Sequence, residues 1–232
     1  QSFDCECGLS LLREGAYRTE VTRLKEEYAG RMRIWLGIER DASALSDRAQ
    51  YDYVIGAQHY LPISGGHIAV DSTAENLRRL IDTAYGGDPY RMTADYFRRY
   101  ADYIDAYRPD IIAHFDLVKK LNQRGGFFDE TDPRYVGPAL EALERMAPSG
   151  ALLEVNTGAI ARGWRDDPYP SPVLLRRWRD LGGRAIISGD CHDADFLDCA
   201  FDRCERMLLD AGFRDVWRLG TGDERFEPVS LC

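Results

Sequence analysis

The sequence predicts an α/β protein in which helices cover a parallel sheet, and three observations lead there. Short apolar runs without helical period, such as those ending at Glu39, Asp116 and Asn156, suit strands buried on both faces. Between them lie stretches whose apolar residues recur at helical spacing. No internal repeat, low-complexity tract or convincing linker interrupts this order, so one domain over residues 1–232 is expected. The pattern alone fits either a barrel or a doubly wound sheet.

Residues 15–30 place Val21, Leu24 and Tyr28 on one helical face and end at Gly30, which suits the position that closes a helix. The runs 31–39 and 52–60 follow as strands. Residues 61–70 carry Ser64, Gly65 and Gly66 between short apolar stretches, the mark of a hairpin. Ser72 and Glu75 form a capping box that opens a helix to about residue 85. A second helix over 93–107 shows Tyr96, Tyr100 and Ile104 on one face. Strand 110–116, a loop over 123–132, helix 134–146 and strand 151–156 come next. Ser171 as N-cap and Pro172 in the first turn start a helix that stops at Gly182 and Gly183. Strand 184–188, helix 194–211 and a short strand at 216–219 complete the order.

Thirty Lys and Arg against 39 Asp and Glu give a net charge of −9. That balance disfavours a broad nucleic-acid surface but permits a small basic pocket. No apolar run approaches the ~20 residues that cross a bilayer. The first residues also lack a basic stretch ahead of an apolar one. The expectation is a soluble, cytoplasmic protein with no membrane partner, and a homo-oligomer is compatible with it. Cys5, Cys7, Cys191, Cys199, Cys204 and Cys232 form no C-x-x-C pair, so they read as reduced structural thiols.

The chain has four histidines, and three of them close a predicted strand: His59, His114 and His192. Glu39 ends its strand in the same way. In a parallel sheet the C-terminal strand ends converge on one mouth, where sites form. Glu39, His59, His114 and the Asp190/His192 pair are therefore expected at one point. In extended chain alternate residues share a face, so Asp190 and His192 should point together and Cys191 away. A lone histidine at a strand end is more often a satisfied polar group than a ligand. Three beside two carboxylates favour a site for Zn²⁺, Mn²⁺ or Fe²⁺, in which a carboxylate can bridge two ions. His67 reads as a surface residue of the hairpin and Cys191 as a packing residue.

Five strings in order resemble the histidinol-phosphatase branch of the polymerase-and-histidinol-phosphatase (PHP) metallohydrolases. They are LGIERD around Glu39, DYVIGAQHYLP around His59, DIIAHFDLVKKLN around His114, LLEVNTGAIARGWRDDPYPS, and IISGDCHDA around Asp190 and His192. The match runs over about residues 14–231. It implies a distorted (β/α)7 TIM-like barrel holding up to three divalent ions, with Glu39 bridging and His59, His114, Asp190 and His192 as further ligands. It also implies hydrolysis of L-histidinol phosphate to L-histidinol and phosphate, a step of histidine biosynthesis, with Glu39, Asp190 and His192 at the reacting centre.

A small phosphorylated metabolite would then be the partner. Phosphate also calls for fixed cations near the metals, and Arg162 and Lys119 are the best-placed candidates. A solvated surface charge is the bland reading of both. Departing from the pattern, the sequence lacks the family's opening His-x-His strand and its second ligand-bearing strand. The resemblance therefore implies a barrel without its first strands, an N-terminally incomplete domain, open sheet edges and a weak catalyst. The alternatives are a PHP phosphoesterase for another small ester and a degenerate, non-catalytic metal-binding barrel.

Overall fold

A computed structural model describes residues 11–44 and 47–231, so Cys5, Cys7 and Cys232 lie outside the described residues. Helix α1 (Leu11–Glu27) leads into β1 (Gly37–Asp41), β2 (Tyr53–Ala57) and the hairpin β3 (Tyr60–Ile63) and β4 (Gly66–Ala69). Helices α2 (Ala74–Tyr85) and α3 (Pro89–Tyr107) precede the two-residue β5 (Ile111–Ile112). Short α4 (Asn122–Gly125) is followed by α5 (Pro133–Met146), β6 (Leu152–Asn156) and one-turn α6 (Gly158–Ala161). Then come α7 (Pro172–Asp180), β7 (Arg184–Ser188), α8 (Phe201–Ala211) and the closing pair β8 (Asp215–Leu219) and β9 (Phe226–Ser230).

The seven-stranded sheet runs β1-β2-β5-β6-β7-β8-β9, parallel throughout except for β9 against β8. This is the parallel, helix-covered α/β architecture the pattern predicts. No pairing closes the sheet into a ring among the described residues, where β1 and β9 are its two ends. The β8–β9 turn nevertheless reaches back toward the start of β1, because Trp35 Nε1 donates to the Gly220 carbonyl at 2.8 Å.

Helix α1 runs over Leu11–Glu27 rather than 15–30, and three further helix boundaries differ from the sequence reading, each for a local reason. Thr73 rather than Ser72 caps α2, its hydroxyl accepting from Asn76 N at 3.1 Å. Helix α3 begins at Pro89, ahead of residue 93, because Asp88 accepts from the Tyr90 and Arg91 amides. A proline there costs nothing, since first-turn amides have no helical acceptor. The helix expected over 194–211 is broken by Ala200, whose φ of 60° is left-handed, so α8 starts only at Phe201.

Strand alternation sorts side chains to two sides of the sheet. Leu153, Val155 and Ala185 join the helix-side core with Phe97, Phe115 and Trp178. Ile111, Leu152 and Ile186 pack on the opposite side with Tyr53, Ile55, Trp217 and Phe226. Each large side chain fully buried contributes about 1.5–3 kcal/mol. The helix side also sets the strand ends. The Tyr100 hydroxyl lies 2.7 Å from the Gly56 carbonyl and 2.8 Å from that of Ala113, tying β2 to the residue before His114. Gly56 lets β2 approach Pro109, just ahead of β5, as a Cβ there would sit 2.6 Å from Pro109 Cγ.

Candidate metal centre

Glu39 is the middle residue of β1, which runs on to Asp41 rather than ending at Glu39 as the sequence suggested. His59 lies two residues beyond β2 and His114 two residues beyond β5. Because these strands are neighbours and parallel, they deliver three ligand-type side chains to one place. His114 Nε2 lies 3.2 Å from Glu39 Oε1, and His59 Nε2 lies 3.4 Å from the same oxygen. The two rings meet edge to face at 4.9 Å. One ligand atom from each of the three falls within 4.8 Å of the others, which is the spacing around a single small cation.

The electrostatics show what such a cation would replace. Burial works to raise the Glu39 carboxyl, but the hydrogen bond and charge of His114, with the charge of His59, bring it down to about 2. Burial works to lower His114, yet Glu39 and then Glu154 and Asp190 hold it up at about 9. A proton on His114 thus balances the carboxylate, and a divalent ion would displace that proton. Two imidazoles and a carboxylate form a donor set that suits Zn²⁺, Mn²⁺ or Fe²⁺. His114 Nδ1, buried and without a hydrogen-bond partner among the described residues, marks a ring held ready rather than satisfied.

Acidic residues surround the triad. Asp41 Oδ2 accepts the His59 amide at 2.7 Å and lies 3.2 Å from His59 Nδ1. Glu154 accepts the His114 amide at 2.7 Å and Asn156 Nδ2 at 3.0 Å, while burial pushes its own carboxyl up. Asp71, paired with Lys120 at 3.0 Å, is drawn down by His59 and Lys120 against the opposing effect of burial. The sequence reading did not single out Asp41, Asp71 or Glu154. For Asp41 the signal was there, since alternation in β1 puts Glu39 and Asp41 on one face.

Asp190 and His192 form a second cluster with Arg162. Arg162 Nη2 donates to Asp190 Oδ2 at 2.9 Å, and Nη1 to the Asp190 carbonyl at 2.8 Å, with His192 Nδ1 2.9 Å from Nη1. Gly158 admits this cluster, because a Cβ there would sit 2.6 Å from Asp190 Oδ2. The extended-chain alternation expected here does not hold. Asp190 has a φ of 42°, and a turn rather than a strand brings Asp190 and His192 together. His192 is largely exposed, at 72% of its side chain, and the three-residue ligand grouping does not include this pair.

Two further expectations change. Lys119 is not a solvated surface charge: its side chain is fully buried, with Nζ 3.1 Å from Asp116 Oδ2, 3.0 Å from Asp167 and 2.8 Å from Ser171 Oγ. Its Nζ also sits 5.6 Å from the Tyr169 ring, which meets the His114 ring at a steep angle with centroids 6.4 Å apart. Cys191 is exposed rather than packed, as the turn after Ser188 faces solvent. His67 lies on the hairpin, exposed as expected.

The chain is similar to a probable histidinol-phosphatase of Deinococcus radiodurans, at 29% identity over 92% of this chain and 78% of that protein. Among solved structures, it resembles a Listeria monocytogenes protein provisionally described as a histidinol phosphatase, with a TM-score of 0.68 and 16% identity over 84% of this chain and 77% of that one. It also resembles histidinol phosphate phosphatase of Lactococcus lactis, solved with zinc, L-histidinol and phosphate. That match has a TM-score of 0.56 and 19% identity over 90% of this chain and 77% of that one. At such identities the two structures speak for the fold. No family model matches the chain. Among the described residues no helix is long and apolar enough to cross a membrane.

Proposed function

We propose, from the premise that this chain belongs to the histidinol-phosphatase-like family, that it is a metal-dependent phosphomonoesterase. It hydrolyses L-histidinol phosphate to L-histidinol and phosphate, and so serves histidine biosynthesis in the cytoplasm, as one domain with or without self-association. The observation that carries the reading is the convergence of Glu39, His59 and His114 from three adjacent parallel strands and the chain just beyond them. These three would hold the first ion. Asp190 and His192, gathered by Arg162, are the candidates for ligands to further ions in a cluster of up to three. Zn²⁺, Mn²⁺ or Fe²⁺ bound there supplies Lewis acidity and an acidified water, the chemistry that phosphate-ester hydrolysis needs.

The chain's own groups do the rest. Arg162 offers a planar guanidinium suited to a phosphoryl group. Its present partners, Asp190 and His192, hold that guanidinium beside the chain that leaves the C-terminal end of β7. Lys119, with its charge taken up by Asp116 and Asp167, serves phosphate binding by fixing the loop after His114 rather than by contact. Glu154 and Asn156 fix the backbone at His114.

The test is phosphate release from L-histidinol phosphate and from 4-nitrophenyl phosphate by protein loaded with each metal, with metal content measured on the same samples. Preference for L-histidinol phosphate is expected. Bound metal with hydrolysis of neither ester would leave a metal-binding barrel and overturn the reading.

A further inference from the structure

We propose that Asp41 is a positioning residue that fixes the tautomer of His59 and thereby presents His59 Nε2 to a divalent cation. The inference rests on the reading that His59 is a metal ligand.

The Asp41 carboxylate is clamped at both oxygens. Oδ1 accepts from Ser43 N at 2.9 Å and from Ser43 Oγ at 2.6 Å. Oδ2 accepts the His59 amide at 2.7 Å and lies 3.2 Å from His59 Nδ1. Rotating the carboxylate away from the ring would break the serine contacts, so its place is fixed from the strand side. An ionised carboxylate only accepts hydrogen bonds, so the ring nitrogen facing it is the one that carries hydrogen. In the neutral imidazole the lone pair then falls on Nε2, and Nε2 is the atom directed at Glu39 Oε1 and toward His114. A ligating histidine needs this arrangement, because a metal takes the nitrogen without the proton.

The two imidazoles differ in this respect. His114 Nδ1 has no partner among the described residues; its ring is held through Nε2 at Glu39, and Glu154 accepts its backbone amide. His59 is the more exposed of the two, so solvent would otherwise compete to set its tautomer. The orienting carboxylate stands beside the ring that needs one.

The experiment uses the full chain. Zn²⁺ affinity is measured by competition with a chromophoric chelator, and the His59 tautomer is read by ¹⁵N NMR of the metal-free protein where the ring is neutral. Wild type should show His59 with hydrogen on Nδ1. In Asp41→Ala the two tautomers should mix, and Zn²⁺ affinity should fall about 10–100-fold. Asp41→Glu should recover part of both. Asp41→Asn, near in shape, covers the case in which Asp41→Ala fails to fold, and should shift the tautomer in the same direction.

His59→Ala is the control. If it loses Zn²⁺ affinity while Asp41→Ala and Asp41→Asn keep both affinity and tautomer, the positioning role is overturned and the metal reading stands. If His59→Ala keeps wild-type affinity, both fall. An Asp41 variant that raises only KM, with affinity and tautomer unchanged, would make Asp41 a substrate contact and overturn the inference.

Discussion

Lys119 and Asp116 form an ion pair in which neither side chain is exposed to solvent, with Nζ and Oδ2 3.1 Å apart. Asp116 Oδ2 also accepts from Ser171 N at 3.0 Å and from Ser171 Oγ at 2.7 Å. The pair therefore locks the segment after His114 onto the start of α7. Removing one partner of a buried pair strands the other charge, at a cost of about 3–5 kcal/mol. Lys119→Met is expected to lower the urea midpoint accordingly. Replacing both residues, in Lys119→Met with Asp116→Leu, should cost less than that single change. A Lys119→Met protein of wild-type stability would contradict this account.

Glu39 faces both imidazoles of the triad, whereas His192 lies outside it. Glu39→Gln should therefore abolish tight binding of the first ion and turnover together. His192→Ala should lower turnover and reduce total metal per chain, with one tightly held ion retained. Elemental analysis after dialysis, run beside a phosphate-release assay, separates the two variants. Equal metal loss in both would place His192 in the first site. Cys191→Ser, in the exposed turn, should change neither.

Arg162→Ala is expected to raise KM for the phosphate ester and weaken inhibition by free phosphate, at a cost of roughly 1.5–3 kcal/mol. Gly158→Ala approaches the same group from behind, since the new Cβ would press on Asp190 Oδ2 and Arg162 Nη2. It should raise KM in the same sense with metal affinity of the first site unchanged. Unaltered kinetics in both variants would assign Arg162 to the surface.

Asp95 gives a prediction about acid stability away from the site. Burial works to raise its carboxyl, but hydrogen bonds from Arg99, Arg98 and Tyr85 outweigh this and hold it below its usual range. A depressed carboxylate stabilises the fold above its unfolded pKa of about 3.9, and that contribution is lost as pH falls through the lower, folded value. Asp95→Asn should cost about 1–2 kcal/mol near neutral pH. Its deficit against wild type should shrink steadily below about pH 4. Urea midpoints of the two proteins across that range provide the check, and a deficit independent of pH would refute the assignment.

Sequence by itself determined the order of elements and the ends at which the chemistry sits. Buried strands advertise themselves through apolar runs, and in a parallel sheet every C-terminal end faces the same way, so Glu39, His59 and His114 could be placed together without coordinates. Boundaries such as Pro89 and Ala200 were less legible, because caps and left-handed residues act over single positions that periodicity averages out. Tertiary structure alone decided the rest. The left-handed backbone at Asp190 replaced the extended chain from which alternation was argued, and gathered Asp190 and His192 around Arg162, with Asp190 still close enough to raise His114. Lys119 was buried because Asp116, three residues before it, and Asp167 and Ser171, about fifty residues after it, meet around its ammonium. Such partners depend on how loops fold over the sheet, and pattern along the chain carries no record of which charges will share a dry pocket.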